Sequence, residues 1–293
     1  MSEMVVVIHA GAGSLSDDLR EREVECRVAL EASLASAATA LRDGADAVAA
    51  TRCAVVEMES FPLFNAGYGA ALCSDGTVEM SAALMRGPDQ GAGAVAAVTR
   101  TRHPILAAEA LLEAEQVLLI GERADAYAAA HGAEQWEPSR FVTERQLRRL
   151  HEHLALHEHG TVGAVCLDST GALAAATSTG GRTGQPPGRV GDTPLIGAGT
   201  WADAHVAVSC TGEGEAFIRA GAARLLAALV ERGVDLGAAA DTVLEEVARC
   251  GGRGGLIAVN ARGEVAMPFS TPAMQRGVWR ERGGVVVEER SER

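Results

Sequence analysis

The sequence predicts a single α+β domain in which two β-sheets pack together and helices cover them on the outside. With 293 residues, 47% of them apolar, the chain can bury a full hydrophobic core. Predicted strands occur in runs that are flanked by helices from both halves of the chain, a pattern that fits a layered sandwich. No linker, repeat or low-complexity block divides residues 1–293, so we treat them as one domain.

Composition limits the kinds of function to consider. Aromatic residues make up only 3% of the chain and glycines number 34, which favours a core of small aliphatic side chains packed closely. The net charge of −13 and the lack of a basic stretch argue against nucleic-acid binding. The chain contains no lysine, which excludes Schiff-base, pyridoxal-phosphate and Walker-type phosphate-binding chemistry.

The cysteines and the N-terminus indicate a cytoplasmic protein with no membrane partner. The six cysteines contain no CxxC pair and lie mostly in apolar runs, as expected of small buried side chains in a reducing compartment. The N-terminus lacks the pattern of a signal peptide, and no apolar stretch approaches 18 residues. The cysteines are Cys26, Cys53, Cys73, Cys166, Cys210 and Cys250.

The first strand is predicted at residues 5–8, a continuous β-branched apolar run, followed by a tight turn of small residues at 9–14. A glycine-rich turn after a strand is also typical of dinucleotide-binding sites. Here, however, the third glycine of that motif is absent after Gly11 and Gly13, and the charged residues that follow do not resemble a buried crossover helix. The pattern therefore disfavours nucleotide binding.

Helical periodicity covers residues 20–42 and 44–58, with Gly44 ending the first helix and Asp46 capping the second. Pro62 then begins a glycine-rich loop that allows the backbone to pass close to a ligand or a neighbouring strand. The remaining elements of this half are predicted strands at 77–85 and 92–100 and predicted helices at 105–118 and 121–131.

Residues 143–160 form a polar, helix-like connector rich in histidine. His153 and His157 would share one helical face, where two imidazoles could hold a metal ion. The pattern of Asp, Glu or Cys partners is missing, and this favours a solvated segment instead. The histidines of this connector are His151, His153, His157 and His159.

The polar connector ends at Gly160-Thr161, where an apolar strand begins. The ordinary interpretation is a threonine that starts a strand. If the preceding bond is cut, however, Thr161 carries both a hydroxyl nucleophile and an α-amine base. Beyond this point we predict strands at 161–167, 172–177 and 206–210, helices at 216–231 and 235–249, and a hairpin of 256–259 with 265–269.

Three later loops carry groups suited to chemistry. Residues 178–181 place hydroxyls beside permissive glycines. Arg189 and Asp192 could clamp the carboxylate and ammonium of a free amino acid, or could simply pair with each other. Thr211 and Gly212, between a strand and a helix, could face a developing oxyanion or could only cap the helix.

Together these segments resemble the isoaspartyl peptidase and plant-type asparaginase family of N-terminal nucleophile hydrolases. The resemblance extends to residues 9–13 and 64–67, and it implies a four-layer αββα sandwich. It also implies self-cleavage between Gly160 and Thr161 into an α-chain, 1–160, and a β-chain, 161–293. The four segments that carry the resemblance, in matching order and spacing, are 160–165, 177–181, 188–194 and 210–215.

The resemblance assigns roles to the reacting groups. Thr161 would attack the carbonyl of Gly160 during maturation and the substrate carbonyl during catalysis. Thr179 would hydrogen-bond this nucleophile, and Asn65 would line it from the α-chain side. Thr211 and the N–H of Gly212 would form the oxyanion hole.

The resemblance also implies how a substrate is held. Arg189 would bind its α-carboxylate, while Asp192 and the carbonyl of Gly214 would bind its α-ammonium. The implied activity is hydrolysis of asparagine and β-aspartyl dipeptides through an acyl-enzyme, by a homodimer of cleaved units. No cofactor is needed for catalysis, and the loop Glu59–Phe64 resembles a structural sodium-holding loop.

The chain departs from the family pattern in four places. Ala10 and Ser81 replace the usual glycine and aspartate, and Gly184–Pro186 replaces an Asn-Lys-apolar stretch at the mouth of the site. The last change concerns leaving-group preference rather than the chemistry. The connector before Thr161 is shorter than in many members, which predicts either slower cleavage or a less mobile end of the α-chain.

Three alternatives remain open. A glycosylasparaginase would normally be lysosomal or secreted, and this chain has no signal peptide. The threonine endopeptidase branch usually has glutamine at the position of Asp192. A non-catalytic amino-acid-binding relative is the third alternative, and the intact set of predicted site residues argues against it.

Overall fold

The computed structural model describes residues 3–13, 17–152 and 160–290, which form a mixed α/β fold with two sheets. The connector histidines at 153, 157 and 159 lie outside these residues. The strands are β1 (Val5–Gly13), β2 (Met80–Arg86), β3 (Ala92–Val98), β4 (Leu118–Ile120), β5 (Val162–Leu167), β6 (Leu173–Thr179), β7 (Thr200–Ala202), β8 (Val206–Gly212), β9 (Gly254–Asn260), β10 (Val265–Ala266), β11 (Ala273–Arg280) and β12 (Gly284–Arg290).

The helices lie between these strands in the chain. None of them, in the described part of the chain, is long and apolar enough to cross a membrane. They are α1 (Asp17–Glu21), α2 (Glu23–Arg42), α3 (Ala47–Ser60), α4 (Pro104–Ala110), α5 (Gly121–Ala130), α6 (Glu144–Glu152), α7 (Gly214–Ala220), α8 (Ala222–Glu231) and α9 (Leu236–Arg249).

The larger sheet has eight strands in the order β12-β11-β1-β5-β6-β2-β3-β4, and the smaller has four in the order β10-β9-β8-β7. All neighbouring strands are antiparallel except β3 and β4. The strand β5, which follows Thr161, lies between β1 and β6 near the centre of the larger sheet. The segment that follows Thr161 is therefore held on both sides by strand pairing.

The sequence of β1 is continuously apolar because its alternate residues contact two different hydrophobic clusters. Val6 and Ile8 join the hydrophobic cluster that includes residues of α2 and α3. Val5 and Val7 join a second cluster with Ile257 and other residues of the smaller sheet. Both faces of the strand are buried, as expected of a strand covered on two sides. A third cluster lies between the smaller sheet and α7, α8 and α9.

The predicted turn at residues 9–14 is wrong in its described part, 9–13. Strand β1 continues through Gly13, with a register shift between His9 and Ala12. The shift absorbs an extra residue, and Gly11 within it has a φ of +113°, which favours glycine. The small residues serve a β-bulge in a long strand rather than a turn.

The helix predictions are confirmed where local signals are strong. The side chain of Asp46 caps α3 by accepting a hydrogen bond from Ala49 N at 2.8 Å. The single helix predicted at 216–231 is wrong, because Gly221 adopts a left-handed conformation with a φ of +57° and separates α7 from α8. The helix predicted at 105–118 is also too long: α4 ends at Ala110 and residues 118–120 form β4.

Candidate active site

Thr161 lies immediately before β5 and is 7% exposed. Its Oγ1 donates to Thr179 Oγ1 at 3.3 Å. Thr179 Oγ1 donates in turn to the carbonyl oxygen of Gly160 at 2.9 Å and accepts from Gly181 N at 2.9 Å. The hydroxyl of Thr161 and the carbonyl that precedes it are therefore joined through one neighbouring hydroxyl.

Asn65 is the second donor to the Gly160 carbonyl. Its Nδ2 lies 2.7 Å from that oxygen and 2.6 Å from the carbonyl oxygen of Gly181. The side-chain oxygen of Asn65 accepts from Ala71 N at 2.7 Å, which fixes the orientation of the amide. A Cβ at Gly160 would lie 2.9 Å from the Cβ of Asn65, so this position has little room for a side chain.

The β-bulge of β1 forms another wall of the site. A Cβ at Gly11 would lie 3.2 Å from the Cα of Gly160 and 3.4 Å from Thr161 N. The next residue, Ala12, donates its N–H to Thr211 Oγ1 at 3.3 Å. The bulge therefore lies against the Gly160-Thr161 bond and links it to β8, where Thr211 is buried.

Arg189 is paired with Glu215, a residue that the sequence analysis did not select. The Nε and Nη2 atoms of Arg189 each lie 2.9 Å from a carboxylate oxygen of Glu215. The guanidinium lowers the pKa of Glu215 to about 2. Among the described residues, the carboxylate that pairs with Arg189 is therefore Glu215, and the alternative of a simple Arg189–Asp192 pair is wrong. Glu215 lies within the predicted segment 210–215, but nothing in its spacing indicates its partner.

Asp192 is buried, and its Oδ2 has no hydrogen-bond partner among the described residues. Burial raises its pKa to about 6, although the charge of Arg189 acts in the opposite direction. Gly214 lies beside both groups, since a Cβ there would be 2.8 Å from Asp192 Oδ1 and 3.0 Å from Arg189 Nη2. A buried carboxylate with an unsatisfied oxygen is suited to accept a cationic donor.

His9 forms a polar cluster behind β5 that the sequence analysis also missed. Its Nε2 lies 2.9 Å from Ser209 Oγ, which lies 2.8 Å from Thr177 Oγ1. Burial lowers the pKa of His9 to about 3, so the ring is neutral at pH 7. A Cβ at Gly163 would collide with both Ser209 and His9, so this glycine makes room for their contact. Thr177 and Ser209 lie on β6 and β8, which belong to different sheets, so no local pattern in the sequence indicated this cluster.

A small, partly open pocket brings most of the predicted residues together. Asn65, Thr211 and Gly214 do not line it directly, and they reach it through the contacts described above. Arg182, which the sequence analysis did not select, lines it as well. The lining residues are Gly160, Thr161, Thr179, Gly181, Arg182, Arg189, Gly191, Asp192, Thr193 and Gly212.

Comparison with known proteins places the chain in a family. Residues 2–287 match the asparaginase family, and the chain belongs to it. It is therefore an enzyme of the isoaspartyl peptidase and asparaginase type.

Its relatives cover nearly the whole chain. The isoaspartyl peptidase of Escherichia coli K12 is 43% identical over 98% of this chain and 99% of its own length. That of Salmonella typhimurium is 44% identical over 94% of this chain and 95% of its own. The isoaspartyl peptidase/L-asparaginase of Homo sapiens is 39% identical over 94% and 92%, respectively.

Proposed function

We propose that this enzyme hydrolyses asparagine and β-aspartyl dipeptides through an acyl-enzyme on Thr161, after cutting its own Gly160-Thr161 bond. The observation that carries the proposal is the convergence of three groups on that bond. The Thr161 hydroxyl, the Thr179 hydroxyl and the Gly160 carbonyl form one hydrogen-bonded chain, and Asn65 binds the same carbonyl. Membership of the asparaginase family supports the assignment.

Maturation begins with attack by Thr161 Oγ1 on the carbonyl carbon of Gly160. The C–N bond to Thr161 breaks, its nitrogen takes the hydroxyl proton, and an ester links Gly160 to Oγ1. Water then hydrolyses the ester, which leaves a carboxylate on Gly160 and restores the hydroxyl. Asn65 and Thr179 donate to the oxygen that becomes negative, the role of an oxyanion hole.

In catalysis the freed α-amine of Thr161 acts as the base. An α-amino group has an ordinary pKa near 8, which suits proton transfer from its own hydroxyl at neutral pH. Oγ1 attacks the side-chain carbonyl of the substrate, and Thr211 with the N–H of Gly212 stabilises the oxyanion. The amine leaves with a proton, and water hydrolyses the acyl-enzyme.

Arg189 is well prepared to bind the substrate α-carboxylate. Two of its five N–H groups are directed at Glu215, and a third, on Nη1, is directed at Gln185 Oε1, 3.3 Å away. Within the described part of the chain, one N–H therefore remains on each terminal nitrogen, as a two-point bond to a carboxylate requires. Asp192, with its unsatisfied oxygen, accepts the α-ammonium beside the carbonyl of Gly214.

The proposal extends to the architecture and assembly. The three hydrophobic clusters support the four-layer αββα arrangement, with 1–293 as a single domain that is cleaved into 1–160 and 161–293. A homodimer of cleaved units remains a prediction, which light scattering of the mature protein tests. The proposed compartment is the cytoplasm.

The proposal includes a structural sodium ion at the loop Glu59–Phe64, as the resemblance implies. The carbonyl oxygens of Pro62 and Phe64 both lie close to Gly69, where a Cβ would collide with the Phe64 oxygen and lie 2.9 Å from the Pro62 oxygen. Carbonyl oxygens are the ligands that such hard cations prefer. The ion would brace the loop that carries Asn65, and it has no part in the chemistry.

Steady-state hydrolysis of asparagine and of β-aspartyl-leucine tests the function. We expect activity from the wild type, none from Thr161→Ala, and reduced activity from Thr161→Ser, which keeps a hydroxyl. An active Thr161→Ala variant would contradict the assignment of the nucleophile.

A further inference from the structure

Gln185 is the middle residue of the stretch 184–186, which departs from the family pattern at the mouth of the site. The residue is buried, with 5% of its surface exposed. It lies over Gly181, where a Cβ would collide with Gln185 Oε1 and where a φ of +76° favours glycine. The amide of Gln185 is therefore directed into the site rather than into solvent.

The loop that carries Gln185 is fixed by backbone hydrogen bonds to the chain before β2. The N–H of Gly184 donates to the carbonyl of Leu72 at 2.8 Å, and the N–H of Ser74 donates to the carbonyl of Gln185 at 2.8 Å. The N–H of Gln185 donates to the carbonyl of Arg182 at 3.0 Å. These bonds set the position from which the Gln185 side chain starts.

The neighbours of Gln185 also determine which way its amide faces. Its Oε1 accepts from the backbone N–H of Arg182 at 3.0 Å and from Arg189 Nη1 at 3.3 Å, while its Nε2 lies 3.8 Å from Cys73 Sγ. A backbone N–H and a guanidinium can only donate, so the oxygen of the amide must face both of them. Gln185 thus presents a fixed acceptor to Arg189.

The guanidinium of Arg189 is held along its whole length. Glu215 accepts from Nε and Nη2 at 2.9 Å, and Gln185 accepts from Nη1. A Cβ at Gly191 would lie 2.9 Å from Nη1, so the backbone of Gly191 lies against that nitrogen. A side chain that is oriented before its ligand arrives loses less conformational entropy on binding.

The family pattern has lysine where this chain has Gln185. A lysine has three donors and no acceptor, so it could not accept from Arg189. Resting on the proposed function, we propose that Gln185 is a positioning residue, which orients Arg189 to bind the α-carboxylate of the substrate. The departure at 184–186 then acts on the α-carboxylate end of the substrate.

The contribution of Gln185 should be smaller than that of Glu215. Gln185 offers one neutral acceptor at 3.3 Å, whereas Glu215 offers two charged ones at 2.9 Å. We expect loss of the Gln185 acceptor to weaken binding about fivefold, the effect of an ordinary hydrogen bond. The loss should fall on KM, because the α-carboxylate is remote from the reacting carbonyl.

The test compares wild type with Gln185→Met, which keeps the length of the side chain and replaces the amide by a weakly accepting thioether. We expect KM for asparagine to rise about fivefold, with kcat unchanged. The rate at which the Gly160-Thr161 bond is cut should also be unchanged. That rate reports general damage to the loop, because the carbonyl of Gly181 is bonded to Asn65.

Two competitive inhibitors separate an effect on the α-carboxylate from any other. L-Aspartate has an α-carboxylate, and L-isoasparagine has an α-amide in its place, while both keep the α-ammonium and the β-carboxylate. Compared with wild type, Gln185→Met should bind aspartate about fivefold more weakly and isoasparagine equally well. Inhibition of asparagine hydrolysis gives both constants.

Gln135→Met is the matched control. Gln135 also makes a side-chain hydrogen bond, from its Nε2 to Thr101 Oγ1 at 3.2 Å. Among the described residues, neither Gln135 nor Thr101 lines the pocket. This variant should match the wild type in KM, in both inhibition constants and in the rate of cutting.

Several results would overturn the inference. An unchanged KM in Gln185→Met would show that the contact with Arg189 does not matter for binding. An equal loss for both inhibitors, or slower cutting, would show that Gln185 supports the site generally. A wild type that binds both inhibitors equally well would show that the α-carboxylate is not recognised. If the cleaved wild type did not hydrolyse asparagine, the proposed function would itself fail, and the inference with it.

Discussion

The side-chain amide nitrogen of Asn65 lies 2.7 Å from the carbonyl oxygen of Gly160, the residue that precedes Thr161 in the chain. These two residues are far apart in sequence, and a buried amide aimed at one peptide carbonyl lowers the energy of negative charge on that oxygen. The contact therefore identifies the carbonyl at which charge is expected to develop.

We expect Asn65→Ala to slow the cutting of the Gly160-Thr161 bond by about 100-fold, since removal of one oxyanion donor typically costs 10²–10³ in rate. Gel analysis of freshly expressed protein over time gives the rate. Asn260→Ala is the control, because Asn260 is also buried and hydrogen-bonded. It lies at the end of β9 remote from Gly254, the residue that pairs with Gly212 of the site. Equal rates in wild type and Asn65→Ala would remove Asn65 from the reaction.

Glu215→Gln should weaken substrate binding more than it slows chemistry. Glu215 holds the Nε and Nη2 edge of Arg189, and a glutamine cannot accept both hydrogen bonds. We expect KM for asparagine to rise about tenfold with a much smaller change in kcat, because the α-carboxylate is remote from the reacting carbonyl. Glu213→Gln, two residues earlier, is the control. A fall in kcat with unchanged KM would contradict this role.

Asp192 predicts a pH dependence of binding. Its pKa is raised to about 6 by burial, and only its ionised form attracts the substrate ammonium. The KM for asparagine should therefore rise as pH drops below about 6, whereas protonation of the Thr161 amine, whose ordinary pKa is about 8, should act on kcat. A KM that stays constant from pH 7.5 to 5 would contradict the assignment.

The same shift predicts an effect on stability. Because the folded-state pKa lies above the ordinary 3.8, the favourable contribution of protonated Asp192 is present below pH 3.8 and is lost as pH rises through about 6. Asp192→Asn should thus stabilise an uncleaved Thr161→Ala background at pH 7.5, by on the order of 2 kcal/mol, and not at pH 4. Denaturant unfolding at both pH values measures the difference. Equal stability changes at the two pH values would refute it.

Gly163→Ala should destabilise the fold and stop cleavage. The new Cβ would collide with Ser209 Oγ and His9 Nε2, which form a buried hydrogen bond behind the reacting segment. We expect a loss of about 1–3 kcal/mol, the usual cost of overpacking. Gly283→Ala is the control, because a Cβ there meets its nearest neighbour at 3.4 Å. Urea unfolding of both variants gives the comparison, and equal stability would contradict the crowding at Gly163.

Elements with strong local signals could be predicted from the sequence. The helix α3 carries its own cap at Asp46, and β5 is a continuous apolar run. The extension of β1 to Gly13, and the strands β11 and β12, could not be predicted in this way. Their existence depends on pairing with distant strands, as β1 shows by pairing with both β5 and β11. Local composition does not indicate which distant strands will pair.

The contacts within the site also differ in whether the sequence could predict them. Arg189 and Asp192 stand in one loop, so their proximity was predictable from spacing. The partner of Arg189 is Glu215, however, and the partner of His9 is Ser209, on segments that only the fold brings together. Arg182 was likewise passed over, because a single arginine in a polar loop has no distinguishing pattern. Its position in the cavity follows from the backbone bonds of Gly181.

If hydrolysis requires Thr161 with a free α-amine, activity appears only as the Gly160-Thr161 bond is cut, and one time course measures both. Intact mass and asparagine hydrolysis are measured together over time in one sample of the slowly cleaving Asn65→Ala variant. The slope of activity against the cleaved fraction gives kcat per cleaved chain, and therefore any direct effect of the substitution on kcat. We expect fragments 1–160 and 161–293, and activity that rises in proportion to the fragment beginning at Thr161. Substantial activity in the uncleaved chain, or cleavage at another bond, would contradict it.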